Sequence, residues 1–134
     1  MWLYNEKEFR IEDSDNNIAF VYLITNLIDN KKYIGKKLLY AHKYRVKNKK
    51  RRKIKVESDW KDYWSSSEEV KKDVEIHGKE NFKREIIHLC KSKGTVNYLE
   101  AREQMDNRVL ERPDEFYNGI INCRVNRKHV KLRD

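Results

Sequence analysis

The sequence predicts a small mixed α/β domain with its elements in the order β-β-α-β-α. Three observations carry that assignment. Two apolar runs meet at Asp29-Asn30, a serine-led amphipathic segment stops at Gly78, and a second helical stripe stops before Pro113. The 134 residues suit a single domain spanning 1–134, long enough to bury roughly two-thirds of its unfolded surface. A hydrophobic fraction of 38% against a charged fraction of 40% demands a small core built from amphipathic elements, anchored by three Trp and eight Tyr.

Residues 19–26, "AFVYLITN", are β-branched and aromatic and read as a strand. "IDNKKYIGK" continues as its hairpin partner after Asp29-Asn30, whose side chains tolerate left-handed backbone. Residues two apart on a strand share a face, which puts Tyr22 beside Phe20 and Ile24. Residues 36–57 read as a basic helix or loop of weak periodicity. "SSSEEVKKDVEIHG" then offers Ser66 and Glu69 as a capping box, Val70, Val74 and His77 at helical spacing, and Gly78 as the stop. Asn81–Cys90 reads as a third strand. A final helix opens near Thr95, with Val96, Leu99, Glu103 and Val109-Leu110 as its inner stripe. The basic tail from Asn118 is expected to pack only in part.

The opening "MWLYNEKEFRIEDSDNN" has no basic flank ahead of an apolar core, and no apolar run reaches the length of a membrane span. A cytoplasmic protein without a membrane role is the expectation. Cys90 and Cys123 are read as free thiols in a reducing compartment, with Cys90 in the core at a strand end. His88, Cys90, Cys123 and His129 lack the close spacing of a zinc site.

The charge is concentrated. Segment 43–55, "KYRVKNKKRRKIK", holds nine Lys or Arg and no acid, and it accounts for the whole net charge of +9. A local cation block on an otherwise neutral chain points to a polyanion, nucleic acid first among them. Lys47, Lys49, Lys50, Arg51, Arg52 and Lys53 are the candidate backbone contacts. The block has no Trp, Phe or Leu face to enter lipid.

"VYLI" and "YIG", whose tyrosines Tyr22 and Tyr33 have ten residues between them, resemble the paired signature of the GIY-YIG nuclease family. "YIGKK" adds the lysine after the glycine, "HGKENFKREII" resembles the family's Asn-Phe and third strand, "YLEAREQ" its glutamate helix, and "FYN" its late Tyr-Asn pair. Trp60, Tyr63, Ser65 and Ser66 resemble a "W..Y.SS" pattern of small stand-alone, homing-endonuclease-like members of the kind phages encode. Phe20 stands where the family's first glycine usually sits, and Lys43 where its arginine is expected, with Arg45 two residues on. The resemblance implies a small three-stranded antiparallel sheet flanked by helices and a metal-dependent endonuclease acting on double-stranded DNA. No obligatory protein partner is implied.

Phosphodiester hydrolysis needs a positioned water and stabilisation of phosphoryl charge. By resemblance, Glu100 holds one divalent ion, Mg²⁺ or Mn²⁺, with Glu103 one turn away as the alternative ligand. Tyr22 positions or deprotonates the water, Tyr33 holds water or phosphate from the next strand, and Lys36 with Arg45 clamps the phosphate. A phenol titrates near 10, so a base role for Tyr22 needs a nearby cation. His42 is an alternative base, whereas His77 and His88 read as structural. The rival readings are a non-catalytic nucleic-acid-binding protein on the same fold and a small RNA- or ribosome-associated protein, which explains the charge but not the motif order.

Overall fold

The computed structural model describes residues 1–132. Its strands are β1 (Trp2–Tyr4), β2 (Lys7–Glu8), β3 (Ala19–Asn26), β4 (Lys32–Leu38), β5 (Tyr40–Lys47), β6 (Lys50–Glu57) and β7 (Phe82–Cys90); its helices are α1 (Glu68–His77) and α2 (Lys93–Asp106). One sheet runs in the order β2-β1-β7-β3-β4, and β5 and β6 form a separate two-stranded ribbon. Strand β3 is antiparallel to both β4 and β7, so the expected antiparallel trio is the heart of the sheet.

The sheet has five strands rather than three, and it is mixed, because β1 joins β7 in parallel. Trp2 explains the addition. Its ring is 2% exposed, its indole N–H donates to the Trp60 carbonyl at 2.7 Å, and its edge packs on Phe20 and Tyr22. Burying so large a ring draws the N-terminal residues onto the sheet edge.

Both faces of β3 are covered, so nearly every residue in it is buried. Phe20, Tyr22 and Ile24 share one face, as read from the alternation, and pack with Trp2, Trp60 and the α1 residues Val70 and Val74. Ala19 and Val21 face the other way, against Ile34, Cys90 and the α2 residues Val96 and Leu99. Cys90 ends β7 in this second core, as expected.

The β3–β4 turn is closed by Asn26 and Lys31, with Asn30 alone in left-handed backbone at φ 66° and the Asp29 carboxylate accepting from the Lys31 N–H. Residues 36–57 form neither helix nor loop. They complete β4 and build the ribbon, whose register Lys47↔Lys50 leaves Asn48-Lys49 as a two-residue turn with both φ positive, the geometry that matches strand twist.

Helix α1 is capped by Ser67, whose hydroxyl accepts from the Val70 N–H, not by Ser66. Gly78 ends it at φ 88°. Helix α2 starts two residues earlier than expected, at Lys93, because the Ser92 hydroxyl accepts from the Thr95 N–H at 3.1 Å. It closes at Asp106; Val109 is buried in a following 3-10 turn and Leu110 is exposed, so Leu110 falls outside the inner stripe. The tail packs in part: Ser92 donates to the His129 carbonyl and Thr95 accepts from the Lys131 N–H.

Candidate active site

Strand β4 is the last strand of the sheet, and the candidate residues gather along it. The register pairs Tyr22 with Gly35, and the Tyr22 ring leans across the space a side chain would fill. A Cβ on Gly35 would stand 2.4 Å from the Tyr22 hydroxyl and 2.6 Å from its Cζ. The glycine of "YIG" is thus the seat of the first tyrosine. Next to this pair β7 carries a bulge at Ile87, where the β3 register shifts between Val21 and Tyr22.

Tyr33 lies near Tyr22, ring centroids 6.1 Å apart, and its hydroxyl meets Ser66 Oγ at 3.3 Å. Tyr63 closes the group edge-on, 5.9 Å from Tyr22. Lys37 lies over the Tyr63 ring at 4.2 Å and pairs with Asp59 at 2.6 Å, which holds the Asp59 carboxyl below its usual value. Arg84 fixes the loop beneath. Sandwiched between Trp2 and Trp64, it donates to the Lys61 and Tyr63 carbonyls at 3.0 and 2.8 Å. Burial lowers its pKa to about 10.

Helix α2 runs along the same strand. Gln104 Nε2 donates to the Ile34 carbonyl at 3.0 Å, Glu100 Oε1 is 3.9 Å from Lys36 Nζ, and Asn97 Oδ1 accepts from that ammonium. Asn97, Glu100 and Gln104 follow one another at helical spacing, so one face of α2 addresses β4. Asn118 completes the edge, accepting from the Ile34 N–H and donating to its carbonyl at 3.0 and 2.8 Å. The "FYN" motif therefore satisfies the strand that carries "YIG".

The two candidate acids part company here. Glu100 meets Lys36, whereas Glu103 Oε1 meets His88 Nε2 at 2.7 Å, against β7. Burial raises the Glu100 pKa, with Lys36 opposing it. The Tyr22 phenol is pushed well above its ordinary value, by burial first, then by Tyr63, Tyr33 and the Glu100 charge. Tyr33 is raised by burial, against the Ser66 bond, with Tyr63 and Glu100 adding to the rise. Both tyrosines are thus neutral hydroxyl groups within the field of Glu100.

A cleft of about 840 Å³ continues from this edge to the base of the ribbon, with Lys36, Lys37, Lys43, Lys93 and Asn97 in its wall. Arg45 stands two residues beyond Lys43 on the same face of β5, about 7 Å further out. Lys47, Lys49, Lys50, Arg51, Arg52 and Lys53 are all exposed on the ribbon. His42 is also exposed there; desolvation beside the strand, then Lys53, Lys93 and Lys55, hold its imidazole below the usual value. Asn97 and Arg84 do not stand out in the sequence. Asn97 carries a signal all the same, since it precedes Glu100 by three residues on the helix, but Arg84 is an unremarkable cation in a strand.

A family model described as "Putative endonuclease segE, GIY-YIG domain" matches residues 2–121. The chain belongs to the GIY-YIG family. No curated protein and no solved structure matches it. GIY-YIG nucleases act on nucleic acid and generally use divalent metal ions. Among the described residues no three His, Cys, Asp or Glu side chains lie together as a ligand cage. The donor set at β4 is one largely buried carboxylate, Glu100, with Asn97 sharing its Lys36 partner and the two phenols within its field. It fits an ion that takes a single carboxylate and retains most of its water, as Mg²⁺ does. Among the described residues no helix is long and apolar enough to cross a membrane.

Proposed function

We propose that this GIY-YIG protein is a metal-dependent endonuclease of double-stranded DNA, a single catalytic domain of phage or mobile-element type working in the cytoplasm of the cell that contains it. The observation that supports this most is the convergence on β4: Tyr22 seated over Gly35, Tyr33 beside it, and Lys36 paired with Glu100, the carboxylate whose charge both phenols feel.

Glu100 would hold the divalent ion, which when bound supplies positive charge to the phosphoryl oxygens. Tyr22 and Tyr33 orient the attacking water. Tyr22 is a neutral phenol, not a ready base: burial first, then Tyr63, Tyr33 and the Glu100 charge, oppose its ionisation to the phenolate, and a cation on Glu100 would relieve only the last of these. Lys36, with its side chain 44% exposed, can turn from Glu100 to the scissile phosphate. Arg45, with Lys43 nearer the cleft wall, clamps the phosphate from the ribbon. The ribbon cations hold the duplex backbone.

Incubation of supercoiled plasmid with the protein tests this reading. Cutting should require Mg²⁺ or Mn²⁺, stop in EDTA, and vanish in Glu100→Gln, while circular dichroism and DNA binding stay near those of the parent. A fully active Glu100→Gln protein overturns the assignment of the ligand. Plasmid left intact by the parent protein with either metal overturns the enzyme in favour of a binding protein.

A further inference from the structure

The ribbon carries a charge arrangement that folding alone does not explain. Directly paired residues of an antiparallel ribbon lie on one face, so Lys43, Arg45, Lys47, Lys50 and Arg52 share a face, with Arg45 opposite Arg52 and Lys47 opposite Lys50. Like charges directly across a strand pair are destabilising. None of the nine cations of 43–55 has a carboxylate within ion-pair distance among the described residues. On the opposite face two cations are engaged within the ribbon, Arg51 over the Tyr44 ring at 3.9 Å and Lys55 over the Tyr40 ring at 4.0 Å. Among the described residues the five on the first face have no such partner. That face also meets the cleft, through Ala41, Lys43 and Val56.

Shape narrows the partner. Each strand has eight residues, roughly 26 Å at about 3.3 Å per residue. A major groove of B-form DNA, about 12 Å wide, admits a two-stranded ribbon; the minor groove, about 6 Å wide, does not. The major groove of an RNA duplex is too deep and narrow to be read by side chains. A face of two arginines and three lysines suits guanine N7 and O6 edges and the flanking phosphates.

We infer that the β5–β6 ribbon enters the major groove of duplex DNA with this face inward, Lys47, Lys50 and Arg52 on the base edges and Lys43 and Arg45 on phosphates, making it the sequence-reading element of the protein. The inference rests on the nuclease reading only for its substrate, and it explains how a duplex gripped by the ribbon presents a phosphate to the adjoining Lys36 and Glu100.

The test is binding of the full-length protein to a mixed-sequence DNA duplex in EDTA, where no cutting occurs. Methylation of guanine N7 should interfere at a short run of positions, and methyl green, a major-groove ligand, should displace the protein whereas netropsin should not. Lys50→Ala with Arg52→Ala should weaken binding about tenfold and lower the slope of log K against log salt by about 0.9 for each phosphate the variant no longer neutralises. Arg51→Ala with Lys53→Ala should cost less. Arg52→Lys retains the charge, and so the fold and salt slope, but should abolish guanine interference at its own position. Interference-free methylated DNA, displacement by netropsin alone, or equal affinity for an RNA duplex of the same sequence overturns the inference. Plasmid cutting, assayed separately with Mg²⁺, tells the two readings apart: cutting without major-groove interference sinks only the ribbon, and groove binding without cutting sinks only the nuclease.

Discussion

Tyr22 and Gly35 are best understood as one object made of two residues. The phenol occupies the volume a β-carbon would need, so the ring keeps its place only while the neighbouring strand carries no side chain there. Gly35→Ala should therefore destabilise the protein by about 1–3 kcal/mol through overpacking, read as a lower melting temperature. Adding Tyr22→Phe should restore only part of that stability, because the ring Cζ, 2.6 Å from the new carbon, remains. Full recovery would mean the hydroxyl alone makes the clash. Tyr22→Phe by itself removes one polar atom from an aromatic cluster of Trp2, Phe20 and Tyr63 and should fold normally. Its cutting rate should nonetheless fall roughly a hundredfold if the hydroxyl handles the water. Unchanged turnover would return Tyr22 to a packing role.

At the scale of elements, the serines before α1 divide two tasks that spacing alone confuses. Ser66 and Ser67 both stand ahead of an acidic first turn, but only Ser67 takes the capping geometry, because Ser65 adopts φ 84° and its Oγ accepts from the Ser67 N–H. Ser67→Ala should cost about 1 kcal/mol in denaturant unfolding. Ser66→Ala should stay within about 0.5 kcal/mol, since its hydroxyl meets Tyr33 instead; equal effects would mean the cap is shared. The same local ambiguity explains what the sequence does and does not reveal. Strands β3, β4 and β7 and both helices are legible: β3 as a continuous β-branched and aromatic run, β4 as its hairpin partner across Asp29-Asn30, and β7 and the helices by buried positions at recognisable spacing. Strands β1 and β2 are not, having three and two residues, with β1 held by a parallel pairing to β7 some eighty positions away in the chain and β2 only by β1. The choice between Glu100 and Glu103 is also hidden. Both lie on neighbouring faces of α2, and only their partners, Lys36 and His88, separate them.

Across the whole molecule, the core and the charge are segregated. Neither buried cluster includes a residue between Ala41 and Val56, so the ribbon projects from a body that folds around other side chains. This also explains why residues 36–57 do not read as strands: with both ribbon faces in solvent, no apolar alternation marks the pleat. His42 and Lys55 are Cα partners, so an Asn-Gly turn can join them in register and replace Lys43–Ile54. The replacement removes eight basic residues and no acid, taking the formal net charge from +9 to +1. The shortened protein should melt within about 5 °C of the parent, since only Ile54 among the removed residues is even half-buried. Its affinity for duplex DNA in EDTA should collapse, and the steep salt dependence should go with it, because the counterions released on binding belong to the ribbon. A shortened protein that binds with the parent's salt slope would place the DNA contact on the body, along the Lys36, Lys37 and Lys93 wall of the cleft. One that unfolds would show instead that the like-charged ribbon braces the sheet.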